Sequence, residues 1–403
     1  MPEIILIQIS GEDKPGLTSS LTEVLAAYSI DILDIGQSVI HNQLVLGILI
    51  RLPSAAKSAP VLKDLMFRGY ELGVTVKFKP IEGDKYEHWV AAQGKPRHII
   101  TLVGNKATGS LISKISDIVA ENGLNIDFIH RLSGRIPLNG EPAPRYACIE
   151  FSARGVPLDL DLMRAKFLTM ATEEQVDIAL QEDNAFRRNR RLVAFDMDST
   201  LIQTEVIDEL AKAAGSGELV SRITESAMRG EIDFKESLRQ RLATLKGLDE
   251  SVMDGIARAL PITEGAERLI SNLKKFGYKT AILSGGFTYF GEKLQEHLDV
   301  DYVHANELEI IDGKLTGNVI GDIVDGAKKA ELLTEIAKKE KLSLQQVVAV
   351  GDGANDLPML SIAGLGIAFH AKPKVKKDAR QSISHFGLDS ILYLVGLRDR
   401  ETD

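Results

Sequence analysis

Leu192-Val193-Ala194-Phe195-Asp196-Met197-Asp198-Ser199-Thr200 sets four apolar residues directly before two aspartates spaced two apart. A short run that is apolar at every position reads as a strand buried on both faces, as in a parallel sheet covered by helices. Two further runs repeat the design. Lys279-Thr280-Ala281-Ile282-Leu283 leads into Ser284-Gly285-Gly286, and Gln346-Val347-Val348-Ala349-Val350 leads into Gly351-Asp352-Gly353. Open α/β sheets bind ligands beyond the carboxyl ends of their strands, so these three polar loops are expected to converge on one site.

Between the first two strands lies a helical stretch, about 205–262, too long for a simple crossover and therefore expected to form a cap over the site. Glu309-Ile310-Ile311-Asp312-Gly313-Lys314-Leu315 places an Asp-Gly turn between apolar flanks, a hairpin signal. Upstream, residues 1–80 and 97–182 read as a duplicated βαββαβ unit. Ile4 to Ile9 is a strand, Ser10 to Pro15 a turn, and Leu17, Leu21 and Leu25 a buried helix stripe. The layout returns 94 residues later in His98 to Val103, Gly104 to Ser110, and Leu111, Ile115 and Val119. Residues 81–96, with Gly83, Gly94 and Pro96, read as the connection between the copies. Arg187-Arg188-Asn189-Arg190-Arg191 reads as a solvated interdomain linker into a C-terminal domain, 192–403.

Composition bounds the possibilities. At 403 residues, two or three domains are expected, and 44% hydrophobic with 26% charged residues is the balance of a soluble globular protein. A net charge of −9 argues against bulk attraction to nucleic acid or anionic lipid. No apolar run approaches the ~20 residues needed to span a bilayer. The opening Met1-Pro2-Glu3 lacks the basic start and apolar stretch of a signal peptide, so a cytoplasmic location is expected. The single cysteine, Cys148, cannot form an internal disulfide; within Tyr146 to Phe151 it reads as a small buried hydrophobe on a strand.

Carboxylates at the ends of buried strands repel one another unless something pairs with them. Asp196, Asp198 and Asp352 offer hard oxygen ligands, which suits Mg²⁺ completed by water and phosphate. Residues two apart at a strand end can flank one phosphorus. One of Asp196 and Asp198 then attacks, and the other, kept protonated by burial and its neighbour, gives a proton to the leaving alkoxide. Ser284 with the Gly285 and Gly286 amides supplies donors for the phosphoryl oxygens, and Lys328 or Lys329 the positive charge.

Taken in order, Asp196-Met197-Asp198-Ser199-Thr200, Ser284-Gly285-Gly286, Lys329 and Gly351-Asp352-Gly353-Ala354-Asn355-Asp356 resemble the haloacid dehalogenase superfamily, and within it the phosphoserine phosphatases, over about 192–395. The resemblance implies a Rossmann-like core with a helical cap, Mg²⁺, and hydrolysis of O-phospho-L-serine, the last step of serine biosynthesis. It implies Asp196 as nucleophile and Asp198 as general acid and base, with Ser284, Gly285 and Lys329 on the phosphoryl group. Lys329 is preferred to Lys328 because the family lysine lies two residues before the helix position of Glu331. The metal is implied on the Asp196 side chain, the Asp198 carbonyl and Asp352, with Asp356 supporting them. Glu205, Arg241 and Asn355 match substrate contacts, the first two facing the ammonium and carboxylate of phosphoserine.

The N-terminal copies resemble ACT domains, which implies an amino-acid effector, L-serine as end product, and pairing of two chains through their sheets. Gly11-Glu12-Asp13-Lys14-Pro15-Gly16-Leu17 matches the family turn, giving Asp13 and Gly16 as effector candidates, with Gly109 their counterpart in the second copy. That copy lacks the Asp and Pro. Two other readings stay open: a phosphatase of broader phosphomonoesters or phosphoproteins, and a non-catalytic amino-acid sensor.

Overall fold

Strands apolar on both faces require helices on both faces, and the computed structural model, which describes residues 3–52, 58–139 and 142–402, has that arrangement in its C-terminal half. The chain divides into two units, Met1–Lys95 and Pro96–Asp403.

The first unit runs β1 (Glu3–Glu12), α1 (Leu17–Ala27), β2 (Asp31–Ile40), β3 (Gln43–Leu52), α2 (Ser58–Leu72) and β4 (Thr75–Ile81). Its antiparallel sheet has the order β2-β3-β1-β4. Leu17, Leu21 and Leu25 are buried in one cluster with Ile5, Ile7 and Ile9, alternate residues on one face of β1. The expected connection at 81–96 instead holds a helix, α3 (Gly83–Gln93), with no buried residue. Its glycines bound the helix rather than break it, and the charged residues, alanines and glutamine between them are good helix formers.

The second unit opens with β5 (Arg97–Gly104), α4 (Gly109–Glu121), β6 (Asn125–Arg131), β7 (Ala147–Arg154), α5 (Leu160–Glu174) and β8 (Asp177–Glu182). Its sheet order, β6-β7-β5-β8, repeats that of the first. Cys148 is fully buried on β7.

Next come β9 (Leu192–Phe195), α6 (Val206–Ala213), α7 (Gly217–Met228), α8 (Phe234–Ala243), α9 (Ser251–Ala259), α10 (Ala266–Lys275), β10 (Lys279–Phe287) and α11 (Thr288–Leu298). The chain continues through β11 (Tyr302–Ile311), β12 (Lys314–Ile320), α12 (Gly326–Lys339), β13 (Val347–Gly351), α13 (Leu357–Ile362), β14 (Leu365–Phe369), α14 (Pro373–Asp378), β15 (Gln381–Ile383) and α15 (Ile391–Leu394). The sheet order is β12-β11-β10-β9-β13-β14-β15, parallel except for the β11–β12 hairpin. Alternation decides the layers: Val193 and Phe195 enter one apolar cluster, Leu192 and Ala194 the other. The hairpin turns at Asp312 and Gly313, both left-handed (φ 51° and 73°), as a twisted two-residue turn requires. Helices α6 to α9 make up the expected cap region.

The arginine run is a solvated linker only in part: Arg188, Asn189 and Arg191 are exposed, and the other two arginines are not. Arg187 and Arg190 are 3% and 4% exposed. Arg187 pairs with Glu150 of β7, and Arg190 donates to the Gln181 side chain of β8 at 2.9 Å. Glu150 lies 37 residues before Arg187 and Gln181 only 9 before Arg190, and neither pairing can be read from a charge count. Burial pushes the Arg190 guanidinium down to about 10, with Arg187 adding to the effect.

The β5–β8 module is bound to the catalytic sheet through polar contacts with an apolar centre. Asp177 accepts the backbone N–H groups of Ser384, His385 and Phe386 at 2.7, 3.2 and 3.2 Å. Asp389, fully buried, accepts from Arg145 (3.1 Å), Arg268 (3.0 Å) and the Tyr146 hydroxyl (2.8 Å). Tyr146, Cys148, Phe386 and Tyr393 pack beside it. Removing one side of a buried, hydrogen-bonded ion pair costs ~3–5 kcal/mol. Because both arginines keep some water contact, Asp389→Ala is expected to lower stability by about 3 kcal/mol, measured by urea unfolding of the full chain. An unchanged midpoint would show that Asp389 does not hold the two parts together.

Candidate active site

Phe195 ends β9 in the middle of the sheet, and the Asp196 N–H donates to the Val350 carbonyl at 2.9 Å, fixing the loop to the neighbouring strand. The chain then turns sharply, with Ser199 left-handed at φ 56°. Asp196 Oδ1 accepts the Met197 N–H at 2.7 Å, while Oδ2 lies 2.8 Å from Lys329 Nζ. Lys329 is fully buried in the first turn of α12 and also reaches Asp356 Oδ1 at 2.7 Å. Lys328 points elsewhere, pairing with Glu331 at 3.0 Å. Burial alone would lower the Lys329 ammonium, but Asp196 and Asp356 hold it above the usual lysine range, so it stays charged.

Asp198 is buried, and its Oδ1 accepts the Val206 N–H at 2.9 Å. Burial, then the charge of Glu205, push this carboxyl up to about 8. Asp352 is pushed up to about 7 by burial and by Asp356 and Glu205, although Thr200 donates to it at 3.2 Å. Burial and the neighbouring Asp356 also raise Asp196, against the pull of Lys329.

Asp196, Asp352 and Asp356 each offer an oxygen within 4.8 Å of the other two. The Asp198 carboxylate is not in this set. Both oxygens of Asp356 are already engaged, by Lys329 and by the Gly353 N–H at 2.9 Å, so it steadies the lysine and the loop. The residues fit a divalent cation on two counts. The donors are hard oxygens, and the raised carboxyls of Asp196 and Asp352 mark uncompensated negative charge that a cation would relieve.

Ser284, Gly285 and Gly286 do not form a loop after the strand: β10 continues through them. The Gly286 N–H donates to Ser284 Oγ at 2.8 Å, so this amide is not available to a phosphoryl oxygen as expected, and the Ser284 hydroxyl proton is. Gly286 must lack a side chain, because a Cβ there would lie 2.4 Å from Asp198 Oδ2 and 2.6 Å from Met197 Cε. Asn306 of β11, 2% exposed, was not marked in the sequence. Its Nδ2 donates to the Gly285 and Gly286 carbonyls at 2.8 and 3.2 Å, and its Oδ1 accepts from Val324 at 2.8 Å. The signal available was an amide at an inward-facing position of a strand. Asn355, half-buried, lies in the turn between Gly353 and Asp356.

The cap completes the pocket. Glu205, exposed at the start of α6, accepts from Ser199 Oγ at 2.8 Å. Arg241 on α8 is half-buried and makes no ion pair among the described residues. Burial lowers its guanidinium, while the charges of Glu205, Asp208 and Asp198 raise it. Phe234 stands over Gly285, where a Cβ would lie 2.9 Å from its ring. Lys235 of α8 meets Asp325, the residue capping α12, at 3.0 Å.

In the first unit, Gly16 is left-handed (φ 85°) ahead of α1, and Asp13, Gly16, Ser19 and Gln37 line an open cavity of about 390 Å³. The second copy differs. Thr108 caps α4 by accepting from the Leu111 N–H at 3.3 Å, and Gly109 is an ordinary first helical residue.

The description of the ACT domain matches residues 3–79, and that of haloacid dehalogenase-like hydrolases matches 193–361. The chain is 40% identical to the phosphoserine phosphatase of Streptomyces coelicolor over 99% of its own length and 93% of that protein. The chain belongs to the phosphoserine phosphatase family. A Mycobacterium tuberculosis phosphoserine phosphatase is 39% identical over 99% of this chain and 94% of that family member. The crystal structure of a probable phosphoserine phosphatase from Vibrio cholerae, unliganded, superposes with a TM-score of 0.58 at 35% identity, covering 74% of this chain and 86% of that one.

Within this family frame, Gly286→Ala is expected to displace Asp198, lower kcat by about 100-fold and lower the melting temperature by a few degrees, since overpacking a buried site costs ~1–3 kcal/mol. Steady-state assays beside thermal melts check this; wild-type turnover would show that the close approach is dispensable.

Proposed function

We propose that this chain hydrolyses O-phospho-L-serine to L-serine and inorganic phosphate, with Asp196 as nucleophile and Asp198 as proton carrier. The observation carrying the proposal is the buried Lys329, held by Asp196 and Asp356 at the carboxyl edge of β9 and β13 and close enough to Asp198 to act on its charge. Family membership of full-length relatives supports the substrate.

In the first step an Asp196 oxygen attacks phosphorus, the bond to the serine oxygen breaks, and Asp198 gives that oxygen its proton. An acid raised to about 8 by burial is protonated at neutral pH and suited to this task. In the second step water attacks the aspartyl-phosphate, Asp198 takes up the water proton, and phosphate leaves with Asp196 restored. Lys329 and the Ser284 hydroxyl face the phosphoryl oxygens. Mg²⁺, held by Asp196, the Asp198 carbonyl and Asp352, would offset the negative charge gathered there. Arg241 receives the substrate carboxylate, Glu205 its ammonium, and Asn355 a further contact.

The same reading makes the chain a cytoplasmic enzyme of the last step of serine biosynthesis, with L-serine as effector at the Asp13–Gly16 turn. Among the described residues no helix is long and apolar enough to cross a membrane. A homodimer through the ACT sheets is proposed because β2 is an edge strand with Ile32, Ile35, Val39 and Ile40 exposed.

Phosphate release from phosphoserine, phosphothreonine and an aryl phosphate, with Mg²⁺ or a chelator, tests the function. Turnover is expected to need the metal and to favour phosphoserine; equal rates on all three would support a broad phosphatase, and no turnover would sink the enzyme reading. Asp196→Asn is expected to lower kcat by at least about 1,000-fold, since an amide is a poor nucleophile. Arg241→Ala is expected to cut kcat/KM for phosphoserine about 100-fold while leaving the aryl phosphate within a few-fold. Equal losses on both substrates would remove Arg241 from carboxylate recognition.

A further inference from the structure

We propose that the crevice between the β5–β8 module and the catalytic sheet is a second anion site, which takes a small organic molecule bearing two or more negative charges. The crevice has a volume of about 240 Å³. One wall is α5 and β8 of the module; the other is α14 and the start of β15 of the catalytic sheet.

The charge lining it is one-sided. Arg164 stands on the module wall, and Lys376, Lys377 and Arg380 on the catalytic wall. The single carboxylate there, Asp161, is already held by Arg164 Nη1 at 3.1 Å. Lys376, Lys377 and Arg380 form no ion pair among the described residues, in a chain whose net charge is −9. Like charges gathered without partners repel one another, and a shared anion relieves that repulsion. The Arg164 side chain is 35% exposed and gives one N–H, from Nη1, to Asp161, which leaves further guanidinium donors for an anion.

The floor narrows the ligand class. Leu168, Ile178 and Leu180 line it, so the occupant carries an apolar body as well as its charges. The volume lies below the ~300–1,000 Å³ of pockets for drug-sized ligands, which limits the occupant to metabolite size. Alkyl or aryl phosphates, disulfonates and dicarboxylates share this chemistry. The site stands apart from Asp196: β15 is three strands from β9, roughly 14 Å at ~4.8 Å per strand. An occupant would bridge cations from both walls and tighten the docking of the module on the catalytic sheet.

Benzene-1,3-disulfonate, which holds no phosphorus and cannot be turned over, is the probe. Calorimetric titration of the full chain with Mg²⁺ is expected to show one site, weakened at least ten-fold in Lys376→Ala/Arg380→Ala and unchanged in Asp196→Asn. The exposed single change Lys377→Glu should weaken it as well, which covers the case in which the double variant folds poorly. The melting temperature of wild type, and not of the double variant, should rise with the probe. No binding up to about 10 mM, equal affinity in the double variant and Lys377→Glu, or loss of binding in Asp196→Asn would each overturn the proposal. The readout is binding, so failure here is distinct from failure of the phosphatase reading, which is read by phosphate release.

Discussion

A lysine ammonium with no exposure to water survives only where carboxylates surround it, and Lys329 has two, Asp196 at 2.8 Å and Asp356 at 2.7 Å. This triad joins three separate segments: the end of β9, the first turn of α12 and the turn after β13. Desolvation of the charges would be prohibitive without their mutual pairing. The pairing also leaves the site unbalanced. Asp352 and Asp198 remain as raised carboxyls, one suited to a cation and the other to carrying a proton. The same burial that makes the site costly therefore separates its acids into different roles.

The supports around the triad are backbone contacts rather than further charges. Asn306 holds two carbonyls of the Ser284–Gly286 segment, and the Val350 carbonyl holds the Asp196 amide. The cap is joined to the core by more than surface charge: Leu210, Leu238, Leu242 and Met253 share one buried apolar cluster with Val193 and Phe195. Backbone hydrogen bonds tie Gly247 and Leu248 to Leu315 of β12 at 2.8 and 2.9 Å. The partly exposed Lys235–Asp325 pair adds at most ~1 kcal/mol to this.

The β5–β8 module is attached differently. Asp177 and Asp389 are buried carboxylates that cross from one part to the other, and they bind backbone amides, arginines and a tyrosine. Such contacts make the second module a fixed neighbour of the catalytic sheet. The cationic crevice lies along that same junction.

Much of this was legible in the chain. Apolar runs such as Leu192 to Phe195 specify buried parallel strands because side chains alternate between two covered faces, and the polar loops after them specify where the site lies. The βαββαβ repeats were readable from strand alternation and the Leu17, Leu21, Leu25 spacing, and Asp312-Gly313 from its turn chemistry. Other features depend on which neighbours the fold brings together. The arginines at 187 and 190 look solvated until Glu150 and Gln181 arrive beside them. Asn306 shows in the sequence only as an amide at an inward-facing strand position; the carbonyls it holds are set by the strand it lies against. The amide of Gly286 is spent on Ser284, a matter of backbone direction that residue order does not encode. Residue type and spacing determined which groups this protein can use; only the tertiary structure decided which of them are buried together, because desolvation and pairing depend on neighbours in space.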